Sequence, residues 1–94
     1  MYVTLVRPRP QPWQGAEYAG RWQAILAPHV RALPGFHAAY FVGDRAANTV
    51  HAIYLWDEQP VEALDQAMDD FRQQCRDITL GPGQREHFEI MAEA

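Results

Sequence analysis

The sequence predicts an α+β domain with the element order β-α-β-β-α-β. Three observations carry this prediction. Two stretches, about Ala16 to Leu33 and Pro60 to Arg76, place apolar residues at helical spacing. Between them lie two alternating segments rich in β-branched and aromatic residues, joined by a short polar turn. A strand-like segment stands at each end of the chain. The 94 residues leave room for a single domain, residues 1–94.

Residues Tyr2 to Arg7 read as the first strand because Val3, Thr4 and Val6 are β-branched. Arg7-Pro8-Arg9-Pro10-Gln11-Pro12 cannot continue it, since three prolines remove three backbone donors and favour an extended path. This segment is expected to form a rigid loop beside a pocket, with Trp13 as its anchor or lid. In the first helix Trp22, Ile25, Leu26, Val30 and Leu33 form one stripe, with His29 on it. Pro28 falls inside that pattern, and its missing N–H predicts a kink or break near Ala24. Pro34-Gly35 ends the helix.

Phe36 to Val42 follows as a strand. Simple alternation sets Phe36, Ala38, Tyr40 and Val42 on one face and His37, Ala39 and Phe41 on the other. Gly43 to Asn48 makes a polar turn, and Thr49 to Trp56 returns antiparallel as the strongest strand of the chain. Both strands are so apolar that cover on both faces is expected. The second helix carries Val61, Leu64, Met68, Phe71 and Cys75 on one stripe, with Pro60 at its first position. Acidic residues crowd its start, while Arg72 and Arg76 lie near its end, as the helix dipole favours. Gly81-Pro82-Gly83 breaks the chain before a last strand, Arg85 to Ala92, expected at a sheet edge. This order is that of the ferredoxin-like fold: four antiparallel strands with both helices on one face. The second sheet face is left without cover from the chain itself, and a symmetric homodimer is the expected solution.

Composition narrows the function classes. Twelve acidic residues against eight arginines and no lysine give a net charge of −4, a poor match for a phosphate backbone, so no nucleic-acid partner is expected. No apolar run approaches the roughly 18 residues of a membrane span, so no membrane partner is expected either. The single cysteine, Cys75, excludes an internal disulfide and makes a reducing cytoplasm the expected compartment. Four histidines are present, yet none stands at a metal-binding spacing, so no metal is expected.

Leu33-Pro34-Gly35-Phe36, the hairpin after it, Ile53-Tyr54-Leu55-Trp56 with its following acids, and Glu62-Ala63-Leu64 together resemble the antibiotic biosynthesis monooxygenase family. The resemblance implies a dimeric α+β barrel, with Trp56 facing the helices and a pocket between sheet and helices. Residues 33 to 64 carry it. The serine usually found two positions after the strand-end tryptophan is Glu58 here. Two extra residues, Pro60 among them, precede Glu62-Ala63-Leu64. The family also includes haem-degrading enzymes that use an Asn in the first strand, the strand-end Trp and a His in the second helix. Trp56 matches that set, but residues 1–8 hold no Asn and residues 60–76 no His.

What the resemblance implies is a cofactor-free monooxygenase acting on a quinol-like or polycyclic aromatic molecule. Such chemistry needs a dry pocket and hydrogen bonds to the developing anion. Trp56 and His37 are the candidate catalytic residues, the first through its indole N–H and the second as an imidazole that titrates near neutrality. His51 is an alternative base. Trp22, Phe41, Tyr54, Met68 and Phe71 are the candidate substrate-binding residues, an aromatic wall with a few polar tips. The same side chains also read as ordinary core. That supports the alternative of a non-enzymatic dimeric protein binding a hydrophobic or aromatic small molecule. Haem binding through His29 or His51 is a third reading.

Overall fold

The computed structural model describes residues 1–60 and 62–94. Strand β1 (Tyr2–Arg7) is followed by α1 (Gly15–Arg21), a π-helical turn (Trp22–Leu26) and α2 (Ala27–Arg31), which run on as one helix. Then come β2 (Phe36–Asp44), β3 (Thr49–Trp56), α3 (Glu62–Gln74) and β4 (Gln84–Glu89). The four strands form one antiparallel sheet in the order β2-β3-β1-β4, and the helices pack on one face of it. This is the ferredoxin-like arrangement that the element order predicts.

The helix tolerates Pro28 by changing its winding. The Ala27 N–H bonds to the Trp22 carbonyl, five residues back, immediately before the proline. Pro28 has no N–H to offer Ala24, and its ring would crowd that carbonyl in an α-helix. A single π turn absorbs both problems without breaking the helix. Gly35, at φ 77°, makes the sharp exit that only glycine adopts without strain, and its carbonyl accepts the Asp57 N–H at 2.7 Å. That bond ties the turn after the helix to the end of β3.

The β2 alternation differs from the simple pattern. Phe36 pairs with Trp56, but Ala38 pairs with Leu55, so the register slips at His37. This bulge returns Ala39 and Phe41 to the face that Phe36 occupies, and all three pack against the core. Tyr40 and Val42 consequently stand exposed on the opposite face.

Boundaries also move: β2 runs on to Asp44, and α3 ends at Gln74 rather than Arg76. The second helix is described from Glu62; Pro60 precedes it, and Val61 of the predicted stripe lies outside the described residues. Strand β4 stops at Glu89 rather than Ala92: the last ladder pair with β1 is Tyr2–Glu89, and beyond it the Ile90 N–H takes the Met1 carbonyl.

The core lies between sheet and helices: Trp22, Leu26 and Val30 from the first helix, Leu64, Met68 and Phe71 from α3, and Ala52, Tyr54 and Trp56 from β3. Burying each large side chain stabilises the fold by roughly 1.5–3 kcal/mol. Among the described residues, the sheet's other face has no such cover. It carries exposed Leu5, Tyr40, Val42 and Phe88, with half-buried Val3, Ile53 and Leu55 on the same face by alternation.

Two glycines give opposite expectations. A Cβ on Gly83 would fall onto the Arg7 carbonyl oxygen, whereas one on Gly20 meets nothing within 4 Å. Urea unfolding should show Gly83→Ala destabilised by about 1–3 kcal/mol. Gly20→Ala, within a helix, should gain about 0.5–1 kcal/mol.

Candidate functional site

A small cavity of about 60 Å³ opens between the first helix, the centre of the sheet and α3. Its inner wall is Trp22, Tyr54, Met68 and Phe71, four of the five residues expected to bind substrate. The π turn begins at Trp22, so the wider winding sets where this indole enters the core. Its Nε1–H donates to the Tyr54 hydroxyl at 2.8 Å, with both groups buried. That leaves the Tyr54 proton with no acceptor among the described residues, available to a molecule in the cavity. Burial pushes the Tyr54 phenol up to about 12, against a smaller lowering by the Trp22 hydrogen bond. The group is therefore a neutral donor at physiological pH. Tyr18, which also lines the cavity, is raised by burial as well.

Phe41 stands behind this wall rather than in it. Its ring packs on Trp22 with centroids 5.4 Å apart and on Tyr18 at 5.7 Å, holding both from the β2 side.

Trp56 is deeper still and 1% exposed. Its Nε1–H donates to Thr4 Oγ1 at 3.1 Å, which leaves the threonine proton for His87 Nδ1 at 2.9 Å. The other ring nitrogen of His87, Nε2, faces Asp65 Oδ1 at 3.8 Å. A polar chain thus runs from the buried indole through fully buried Thr4 to the surface beside α3. Trp56 faces the helices, as the resemblance implies, and supports the site from below.

His37 is not brought to this cluster. It sits on the bulge, half exposed, with Nδ1 3.5 Å from Asp57 and away from the cavity lining. His51 lies on the open sheet face by register, and His29 lines a separate groove between the helices.

The cavity mouth is closed by segments that sequence reasoning left chemically blank. Pro8 and Arg9 of the proline segment, Gly81, Gly83 and Arg85 rim it, with Arg72 of α3. The proline segment does flank the pocket, but Trp13 does not anchor it: its side chain is 94% exposed and its backbone left-handed at φ 69°. Arg85 is held by Asp65 at 3.0 Å and Asp69 at 2.9 Å, both on α3. Thr4, Tyr18, Arg9, Arg72 and Arg85 were all missed as site residues. For Thr4 a signal existed, since a polar residue at the centre of an apolar strand requires a buried partner.

The fold and this buried sheet–helix cavity together define a class, small ferredoxin-like α+β proteins with a pocket over one sheet face. Within it, the chain has the fold of the solved antibiotic biosynthesis monooxygenases. A Bordetella bronchiseptica protein provisionally named as one superposes with a TM-score of 0.73 at 16% identity, covering 97% of each chain. A monooxygenase from the gene ActVA-Orf6 of Streptomyces coelicolor, in complex with nanaomycin D, gives 0.71 at 15% identity over 99% of this chain and 89% of that one. An MhuD mutant with two manganese protoporphyrin IX bound per active site gives 0.69 at 16% identity over 100% and 98%. No family model matches the sequence, and no curated protein matches it.

Two expectations follow from the buried aromatic pair. Tyr54→Phe strands the Trp22 N–H and should cost about 1–3 kcal/mol in chemical unfolding, and less when made in a Trp22→Phe background. An unfolded tyrosine ionises near 10, so the unfolded chain gains stability from ionisation before Tyr54 does. Folding stability should hold below pH 10 and fall as pH rises from about 10 to 12. The phenolate absorbance of Tyr54 should appear only in that range, together with loss of structure.

Proposed function

We propose that the protein is a cofactor-independent monooxygenase that oxidises a quinol-like aromatic molecule. The observation that carries this reading is the Tyr54 hydroxyl: a neutral donor, fixed by Trp22, directed at an apolar cavity with its own proton unspent. The fold shared with the ActVA-Orf6 monooxygenase supports it.

In this chemistry the ionised substrate supplies every electron. At the reactive CH2 of an anthrone-like ring, one oxygen atom of O2 becomes a carbonyl. The other leaves as water with the two hydrogens. The protein's part is to favour the substrate anion and exclude water. Tyr54 would hydrogen-bond the developing oxyanion, and Trp22, Met68 and Phe71 would hold the ring. Neither carboxylate nor imidazole lines the cavity among the described residues, so the substrate proton would leave towards the mouth. There the guanidinium groups of Arg72 and Arg85 favour the ionised form. Trp56 would act by fixing Thr4 and the sheet side of the site. His37, with Asp57, would be peripheral to it.

The cavity is well below the roughly 300–1,000 Å³ of a drug-sized ligand site. That favours the edge of one ring inside, with the rest of a larger polycyclic substrate across the mouth. It does not fit a porphyrin, and neither His29 nor His51 faces it. The exposed apolar residues of the open sheet face support a homodimer in which two sheets cover each other. Unpaired, buried Cys75 suits a reducing cytoplasm.

Oxygen uptake by the purified protein with anthrone-like and naphthoquinol substrates tests this reading against a buffer autoxidation blank. Uptake well above the blank is expected, retained after chelator and dialysis. Tyr54→Phe should reduce it about a hundredfold, and His37→Ala should leave it unchanged. Tight binding of the same compounds without uptake would instead establish the non-enzymatic ligand-binding protein.

A further inference from the structure

The charge at the cavity mouth runs against the charge of the molecule. The chain carries a net −4, yet the charged residues lining the cavity are Arg9, Arg72 and Arg85, with no acid among the described residues. Two of the three have partners. Arg85 is bound by both Asp65 and Asp69, and Arg72 lies 3.8 Å from Asp69. Arg9 alone has no carboxylate within salt-bridge distance among the described residues. Its backbone, by contrast, is firmly held. The Arg9 carbonyl accepts the Leu80 N–H at 2.8 Å, Gln11 N–H reaches the Ile78 carbonyl at 2.8 Å, and Pro10 bridges to Thr79. Buried Pro8 and Pro10 flank it on either side. Across the mouth, the Arg9 guanidinium lies beside Gly81, with Nη1 3.6 Å from where a Cβ on that glycine would be, an ordinary contact distance.

We propose that this pocket selects a phenol or quinol bearing a carboxylate, with the carboxylate held at the mouth by Arg9 and the ring hydroxyl by Tyr54. The inference rests on the ligand-pocket reading above and names its substrate class. A guanidinium with a clamped backbone and no internal partner matches the planar, two-oxygen edge of a carboxylate. The clamp lowers the ordering cost of binding. The small cavity volume sets the hydroxyl-bearing edge of the ring inside and the charged group at the rim, where Arg9 is.

The test compares 2,5-dihydroxybenzoate with its methyl ester, which share the quinol ring and differ by one charge. Titration calorimetry without oxygen reads binding alone. The acid should bind about tenfold more tightly than the ester. That advantage should vanish in Arg9→Gln, whose side chain is exposed and whose folding is therefore unaffected, while ester affinity stays the same. It should also shrink with added salt. Equal affinities, an acid that does not bind at millimolar concentration, or an advantage that survives Arg9→Gln would each overturn the proposal. Preference for the acid without oxygen uptake on the anthrone-like and naphthoquinol substrates would keep this inference and remove the oxygenase. Oxygen uptake on those substrates with equal affinity for acid and ester would do the reverse.

Discussion

Two indole N–H groups are buried at the centre of this protein, and each must find an acceptor there. Trp22 takes the Tyr54 hydroxyl and Trp56 takes Thr4. A buried donor left without a partner costs about 1–3 kcal/mol, a large part of a small domain's stability. These two bonds therefore constrain everything around them. The first sets how the opening helix meets β3. The second locks β3 to β1, where Thr4 is directly opposite Tyr54. Because Tyr54 and Thr4 are neighbours across the ladder, the two bonds form one polar seam through an otherwise apolar layer.

The site follows from where regular structure gives way. The π turn before Pro28 sets the position of Trp22. The bulge at His37 returns Phe41 to the core side, where it backs Trp22 and Tyr18. The proline segment, stitched to residues 78–80, lays Pro8 and Arg9 across the opening. Each irregularity costs some local stability and is fixed by a neighbouring contact.

Element order, helix stripes and both edges of the hairpin were legible in the sequence because they depend on local periodicity and turn chemistry. The place where Pro28 disturbs the helix was legible too, since its missing donor acts within one turn, but the expected kink or break is instead a π turn. Trp22, Met68 and Phe71 were legible as inward-facing for the same reason, each lying on the apolar stripe of its helix, whereas the inward face of Tyr54 rested on the family resemblance. What failed was phase and partnership. Alternation alone set Phe36 with Tyr40 and Phe41 with His37. One extra residue at the bulge reversed that pairing, and no local pattern marks the slip.

By itself, then, the sequence determined the fold class and which faces of the helices turn inward, because patterning and backbone propensity act over a few residues. Tertiary structure alone decided which polar groups meet. Thr4, Trp56 and His87 are separated by dozens of residues, and only the β3-β1-β4 ladder brings them into one chain of hydrogen bonds. The same holds for Arg9 and Arg85, whose place at the cavity mouth depends on the docking of a loop and an edge strand. Long-range register is set by the sum of packing across the sheet, and no segment carries that sum within itself.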